Sequence, residues 1–386
     1  MNPSVSSAKI GAMPSLDETT RLADIAISSG AKSIAVIGLA KNSGKTVTLN
    51  AIIKGAQASG ISVGVASAGR DGEKLDALTG LPKPKIALQK GTLVATAERL
   101  AMSATASLEP LIKTKHISVL GRIIVYRVSS PGTIEVASGN RASIVKDVTG
   151  IMHHLGAELI VIDGALGRKF SSAPSLADAT ILSTGAVIAP TLDGVVRATA
   201  HAVDILTTEE WSDSCRQSLN PEVLTNQDVI ILSSGATGKQ AKALKVESVL
   251  VSATEITRQL PGPGSTLVLG GALPGNLLRN LTANRMAHGS TVVVRDATRI
   301  LATHRDISLF KSRGGRIQVL NEIHLAAVTT NPISPDGRMF DAETLLDAIA
   351  DTVKPIPVVD VIAGKTRNLP DCHKTTGDKT EGGEPA

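Results

Sequence analysis

Aromatic residues are almost missing from this chain of 386 residues, in which phenylalanine, tyrosine and tryptophan together make up 1%. Proteins that bind single-stranded nucleic acids stack the bases on aromatic rings, so this scarcity argues against that function. The net charge of +5 is also spread along the chain without a dense stripe of lysine and arginine. We therefore expect no nucleic acid among the partners of this protein.

Cysteine is equally scarce. The two cysteines, Cys215 and Cys372, lie far apart, and neither has a second cysteine at the Cys-x-x-Cys spacing of zinc sites. This pattern argues against a disulfide framework and against a zinc site. Because 42% of the residues are hydrophobic but so few are aromatic, the core has to be built from valine, isoleucine, leucine and alanine.

Long apolar runs are missing too. No uninterrupted hydrophobic stretch approaches the roughly 20 residues that cross a bilayer. Residues 1–13 also lack the order of a signal peptide, in which a basic segment precedes an apolar one. We expect no membrane association and a cytoplasmic location.

A glycine-containing loop follows the first strong hydrophobic run. Residues 33–37 predict a strand, and residues 38–46 end in Gly-Lys-Thr, where a helix is predicted from Lys45 to about residue 59. This order is typical of loops that bind nucleotide phosphates through backbone N–H groups and a helix N-terminus. We expect Lys45 to reach the β- and γ-phosphates and Thr46 to bind Mg²⁺. The candidate residues for binding ATP or GTP are Gly38, Asn42, Ser43, Gly44, Lys45, Thr46 and Val47.

Two acidic residues are candidates for catalysis and for metal binding. Residues 158–162 predict a strand that ends at Asp163, in a pattern that resembles Walker B, and the sheet would carry this acid to its carboxyl edge to hold Mg²⁺. Asp71 follows the second predicted strand, a position at which ATPases with such a phosphate-binding loop usually carry another carboxylate. A helix cap at Asp163 and an Asp-Gly turn at Asp71 are the structural alternatives. Lys45, Asp71 and Asp163 are thus the predicted catalytic residues, and Thr46, Asp71 and Asp163 the predicted metal ligands.

The repeated strand-then-helix order predicts an α/β fold of the P-loop NTPase type, with a mostly parallel sheet and helices on both faces. We expect a flexible arm at 1–14, a nucleotide-binding domain at 15–210, a C-terminal α/β extension at 220–363 and a disordered tail at 364–386. In the first domain, Thr92 is interpreted as the cap of a helix, a second helix follows Arg99, and residues 121–137 predict a β-hairpin. Residues 234–239 are interpreted as a glycine turn before a helix, because Gln240 stands where a second phosphate loop needs serine or threonine.

Five segments together resemble the P-loop subunit of the lysine 5,6-aminomutase reactivase. They are GLAKNSGKT at 38–46, SAGRDGEKLD at 67–76, QKGTLVATA at 89–97, VIDGALGRK at 161–169 and TTNPISPDGRMFD at 329–341. The resemblance implies an ATP-dependent reactivase, or chaperone, that helps an adenosylcobalamin-dependent aminomutase exchange damaged cobalamin for intact cofactor. It also implies two partners, a second subunit related to MutS and the aminomutase itself.

Two other functions compete with this one. Five residues separate Gly38 from Gly44, a spacing that resembles dethiobiotin synthetase and cobyrinic acid diamide synthase, which use ATP to activate a carboxylate. A partition or maturation ATPase of the MinD type is the third candidate. That type carries a lysine five positions before the loop lysine, where this chain has Ala40, so the third candidate is disfavoured.

Overall fold

The computed structural model describes residues 22–25, 27–68, 85–139, 141–164, 176–219, 223–235 and 238–369. Its strands, in chain order, are β1 (Ser33–Gly38), β2 (Val63–Ser67), β3 (Ile86–Leu88), β4 (Leu93–Ala97), β5 (Ser107–Ser118), β6 (Gly121–Ser130), β7 (Gly132–Ile134), β8 (Leu159–Asp163), β9 (Ala179–Gly185), β10 (Asp228–Gly235), β11 (Gly238–Lys245), β12 (Thr266–Leu269), β13 (Thr291–Val294), β14 (Arg316–Val319), β15 (Leu325–Asn331), β16 (Val358–Asp360) and β17 (Thr366–Arg367). Its α-helices are α1 (Lys45–Ala58), α2 (Glu98–Met102), α3 (Ala142–His154), α4 (Leu192–Leu206), α5 (Ala253–Arg258), α6 (Gly275–Ala283), α7 (His304–Ser312) and α8 (Ala342–Thr352).

A ten-stranded sheet organises the chain, in the order β17-β16-β15-β9-β1-β8-β2-β4-β6-β5. The strands from β16 to β4 in this order are parallel, and β17, β6 and β5 are antiparallel to their neighbours. The α/β prediction is therefore confirmed at the level of a large, mostly parallel sheet with helices. Among the described residues, no helix is long and apolar enough to cross a membrane.

Alternate residues of the central strands face two separate cores, as the two-residue period of a strand requires. In β1, Ile34 and Val36 pack with α1 on one face of the sheet. Ala35 and Ile37 belong to the core on the other face, which holds α3, α4 and α8. The central strands are therefore buried on both sides, which explains their continuous apolar sequence.

A second sheet of five strands, in the order β11-β10-β12-β13-β14, is built from residues 228–319. Its parallel strands β12, β13 and β14 alternate with α6 and α7, and its core is continuous with that of the large sheet on the α4 side. The chain then returns to the large sheet through β15, which pairs with β9. The predicted C-terminal extension at 220–363 is therefore divided, and its first part is an insertion between α4 and β15.

The region between β2 and α3 differs from its prediction. The segment 89–92 is a turn, in which Thr92 Oγ1 donates a hydrogen bond to the carbonyl oxygen of Gln89 at 2.8 Å. Strand β4 follows this turn, so Thr92 does not cap a helix. The helix near Arg99 is the short α2, and β6 pairs with the preceding β5 instead of with residues 133–137. The predicted helix and hairpin are therefore replaced by the antiparallel strands β6 and β5, which extend the large sheet beyond β4.

Two later predictions are also corrected. Of the glycine turn predicted at 234–239, residues 234–235 end β10 and residues 238–239 begin the antiparallel β11, so the segment does not precede a helix. The predicted tail begins too early, because Thr366 pairs with Val359 in the large sheet and the Asn368 side chain donates to the Ala350 carbonyl at 2.8 Å. Residues 1–14 and 370–386 lie outside the described residues.

Candidate functional site

The loop between β1 and α1 lies at the carboxyl edge of the large sheet, directly beside the end of β8. The pairing of β1 with β8 places Val36 opposite Asp163. Lys45, the first residue of α1, reaches across this boundary, and its Nζ lies 2.5 Å from Asp163 Oδ1. The same ammonium donates a hydrogen bond to the Gly164 carbonyl oxygen, also at 2.5 Å. The two predicted residues are therefore in contact, and both side chains are mostly buried.

The backbone of this loop is shaped for binding an anion. Asn42 and Gly44 have positive φ angles of 62° and 98°, the left-handed conformation that turns neighbouring N–H groups toward one side. Helix α1 has no side-chain hydrogen bond at its N-cap and no acidic residue in its first turn. Its first N–H groups and its positive dipole end are therefore not neutralised by a side chain of the described residues.

Two buried oxygen atoms lie next to the loop. Ser43 is 1% exposed, and its Oγ has no partner among the described residues. A Cβ atom at Gly38 would lie 2.5 Å from this Oγ, so a larger residue at position 38 would displace the serine. Asp163 Oδ1 is also buried and has no hydrogen-bond donor in the described chain apart from its ion-pair contact with Lys45. An oxygen without a partner, such as Ser43 Oγ, is costly to bury unless a ligand satisfies it.

The remaining predicted residues divide into those near the loop and those not described. Thr46 is half-buried and Val47 exposed, as the second and third residues of α1. Asp71 lies outside the described residues. Strand β2, which leads to Asp71, ends beside Asp163, where the Ala68 N–H donates to the Asp163 carbonyl oxygen at 2.9 Å. Ala68, at the end of β2, therefore lies beside the site.

A set of three hydroxyl groups beneath the loop was not predicted. Thr48 Oγ1 lies 3.1 Å from Ser183 Oγ and 2.9 Å from Thr329 Oγ1, and Thr329 donates to Ser183 at 2.9 Å. All three side chains are buried. This hydroxyl triangle joins α1 to the ends of β9 and β15, and the Ser183 carbonyl also accepts the Leu39 N–H at 3.0 Å. The loop is thus fixed to two strands from below.

Asn331 is a second residue that was given no role from the sequence. A Cβ atom at Gly44 would lie 3.0 Å from Asn331 Cβ, so the end of β15 packs directly on the loop. The turn that follows is braced by Arg338, whose hydrogen bond lowers the pKa of Asp336 to about 2, with further hydrogen bonds from Ser334 and the Arg338 backbone. Its sequence, TTNPISPDGRMFD, contributes to the resemblance, but nothing local marks Asn331 as a neighbour of residue 44.

The described residues contain no group of three or more His, Cys, Asp and Glu side chains that could hold a metal by themselves. A metal ion at this site would need oxygen atoms from a bound molecule in addition to those of Thr46 and Asp163. No family model matches the chain, and no curated protein or solved structure matches it.

Proposed function

We propose that the loop 39–44, together with Lys45, Thr46 and Asp163, binds a nucleoside triphosphate with Mg²⁺ and that the protein hydrolyses it. The observation that carries this proposal is the contact of Lys45 with Asp163 and Gly164 at the end of the neighbouring strand. A lysine at the start of a helix, beside an uncapped helix N-terminus and a strand-ending acid, supplies the groups that a nucleotide phosphate chain needs.

Each side chain has a part that follows from its position. Backbone N–H groups of the loop and of the first turn of α1 would bind the phosphate oxygens, and Lys45 would exchange Asp163 for the phosphates. Asp163 Oδ1 is buried and already contacts the Lys45 ammonium, so its carboxylate suits a cation, and Asp163 and Thr46 would hold Mg²⁺. When bound, Mg²⁺ would neutralise the negative charge that develops on the phosphates during phosphoryl transfer.

The nucleotide would drive a change in a partner, and the proposed partner is an adenosylcobalamin-dependent aminomutase. This step rests on the resemblance of the five sequence segments to the P-loop subunit of the lysine 5,6-aminomutase reactivase. In this proposal, ATP binding and hydrolysis shift the equilibrium between two conformations that bind the aminomutase differently, so that damaged cobalamin can leave. A MutS-related subunit would act beside this chain.

Titration calorimetry with Mg-ATP tests the nucleotide site. Lys45→Ala is expected to weaken binding at least about 100-fold, because it removes the charge that pairs with the phosphates. Lys90→Ala is the matched control, since Lys90 is exposed in the turn before β4. Equal affinities of the wild type and Lys45→Ala, or no binding by the wild type, would remove the proposal.

A rescue assay tests the partner. An aminomutase inactivated by turnover is mixed with this protein, the MutS-related subunit, Mg-ATP and fresh adenosylcobalamin. Recovery that requires ATP and is lost with Lys45→Ala supports reactivation. If Mg-ATP binds but no activity returns, the carboxylate-activating ligase becomes the better proposal, and carboxylate substrates should then be screened for ATP-dependent turnover.

A further inference from the structure

The insertion that forms the small sheet carries the positive charge of the whole chain. Residues 228–319 contain twelve lysines and arginines against five aspartates and glutamates, an excess of seven, whereas the entire chain has an excess of five. The remainder of the chain is therefore slightly acidic. Eight of the twelve basic residues are arginines, and they are dispersed in sequence, so no stripe is visible before folding.

Folding brings four of these arginines to the amino edge of β12, β13 and β14. Three loops meet there with their backbones in contact, since Gly264 N–H donates to the His288 carbonyl at 3.0 Å and Gly289 N–H to the Arg313 carbonyl at 3.3 Å. The next strand joins them through the Arg316 N–H, which donates to the Ser290 carbonyl at 2.9 Å. We call this surface the arginine edge, and its members are Arg258, Arg285, Arg313 and Arg316.

The four arginines are exposed and none has an ion-pair partner in the described part of the chain. Lys311, the lysine nearest to them in sequence, is paired with Asp204 at 3.5 Å. The acids near the edge lie at its margins. Glu255 is one turn before Arg258, and Asp204 and Glu209 line a cleft beside Arg316. The centre of the edge is therefore not neutralised.

A purely structural role explains only part of this arrangement. Helices α5, α6 and α7 end near the arginine edge, and a basic residue at a helix C-terminus interacts favourably with the helix dipole. That effect accounts for one charge per helix and fades within the last turn. Arg316 lies in a strand, so the dipoles do not explain why four unpaired charges share one edge.

The composition of the edge favours a protein partner over a nucleic acid. Interfaces between proteins are enriched in arginine and methionine and depleted in lysine. The edge has four arginines without an unpaired lysine, and the exposed Met286 lies next to Arg285.

We propose that the arginine edge docks an acidic face of a partner protein. This surface belongs to the small sheet and uses none of the residues of the nucleotide site, so the proposal stands independently of nucleotide binding. The contact is electrostatic in part and weakens as salt screens the exposed charges.

Fluorescence anisotropy with a labelled short poly-L-glutamate probes this surface, with labelled duplex DNA measured in parallel at about 100 mM salt. The double variant Arg285→Ala/Arg313→Ala is expected to raise the Kd for poly-L-glutamate at least about tenfold. Arg305→Ala is the matched control, because Arg305 is an exposed arginine in the first turn of α7, away from the edge. Thermal unfolding confirms that each variant is folded.

Each other outcome overturns the proposal. If duplex DNA binds more tightly than poly-L-glutamate, and the same double variant no longer binds DNA, the edge is a nucleic-acid surface. If Arg305→Ala weakens poly-L-glutamate as much as the double variant does, the binding reflects overall charge and not this edge. If the wild type does not bind poly-L-glutamate, or the double variant binds it unchanged, the arginine edge does not recognise carboxylates.

Discussion

In each sheet, one parallel strand leads through a glycine-containing loop to a helix. We call these connections the large-sheet corner and the small-sheet corner, and their glycines have different roles. In the large sheet, β1 leads through 39–44 to α1, with left-handed backbone at Asn42 and Gly44 and no side-chain cap on the helix. In the small sheet, β12 leads through 270–274 to α6. There a Cβ atom at Gly270 would overlap the Thr225 carbonyl oxygen, and one at Gly275 would overlap the Asp306 carboxylate.

The difference lies in what already occupies the helix N-terminus. Asp306 lies at the start of α6, where its negative charge complements the helix dipole. It also accepts hydrogen bonds from Arg279 at 2.9 Å and from the Thr303 hydroxyl at 2.8 Å. The start of α1 has no side-chain cap and no acidic residue in its first turn, and the nearby Asp163 carboxylate contacts the Lys45 side chain. A glycine loop before a helix therefore indicates an anion site only where the chain does not supply the anion itself.

The largest effect is expected from Gly270→Ala. The added Cβ would meet the backbone carbonyl of Thr225, which cannot move as a flexible side chain would, so we expect a loss of about 3 kcal/mol in the free energy of unfolding. Denaturant unfolding measures this loss, and the affinity for Mg-ATP should be unchanged. Gly150→Ala is the control, because a Cβ there meets nothing within 4 Å, and it should stabilise α3 by about 0.5–1 kcal/mol. Equal stabilities of the two variants would show that the small-sheet loop is not packed as described.

Asp163→Asn sharpens the comparison at the other corner. The variant should still bind the nucleotide, but hydrolysis should slow by about 100-fold, because a charged ligand of the proposed Mg²⁺ is lost. Single-turnover hydrolysis measures the rate, and Asp147→Asn serves as the control, since Asp147 lies on α3 and is paired with His116. Turnover at the wild-type rate would reduce Asp163 to a structural residue at a strand end.

Local patterns predicted the elements of the central sheet well. The apolar runs of β1 and β8 were located from sequence, because strands buried on both faces are continuously hydrophobic, and so was the helix that follows β1. The segment 93–97 was misjudged as the start of a helix, since its alanines and the preceding Thr92 fit a cap as well as a strand. Its pairing with β2 and β6 decided the outcome, and such pairing has no local signal.

The candidate site was predicted only in its local parts. Lys45 and Asp163 were each identified from a strand ending, and parallel pairing of β1 with β8 brings them together. The hydroxyl triangle and Asn331 depend on β15, which returns to the large sheet after the whole insertion. The arginine edge likewise assembles from three separate loops. Long-range pairing therefore explains what the sequence did not reveal.

Acidification should affect the small-sheet corner through Asp306. Burial alone would raise its pKa, but hydrogen bonds from Thr303 and Arg279 outweigh burial and hold the pKa below the ordinary value of 3.8. A lowered pKa in the folded state stabilises the protein fully above pH 3.8, and this stabilisation is lost as the pH falls through the lowered pKa. Asp306→Asn should lower the free energy of unfolding by about 2 kcal/mol at neutral pH, and the difference from the wild type should shrink in acid. A difference that is constant with pH would mean that the charge of Asp306 does not matter.

The smallest effect is expected from Thr48→Val. This variant tests whether the hydroxyl triangle holds the start of α1, as the Asp306 carboxylate holds the start of α6. The substitution keeps the shape of the side chain but removes one hydroxyl from the triangle, and Ser183 and Thr329 can still bond to each other. We expect a loss of about 1 kcal/mol in the free energy of unfolding and little change in nucleotide affinity. Thr257→Val is the matched control, because this buried hydroxyl donates a hydrogen bond within α5, to the Ala253 carbonyl. If Thr48→Val instead abolishes nucleotide binding while the fold persists, the triangle sets the conformation of the loop itself, and the two corners differ in their support as well as in their charge.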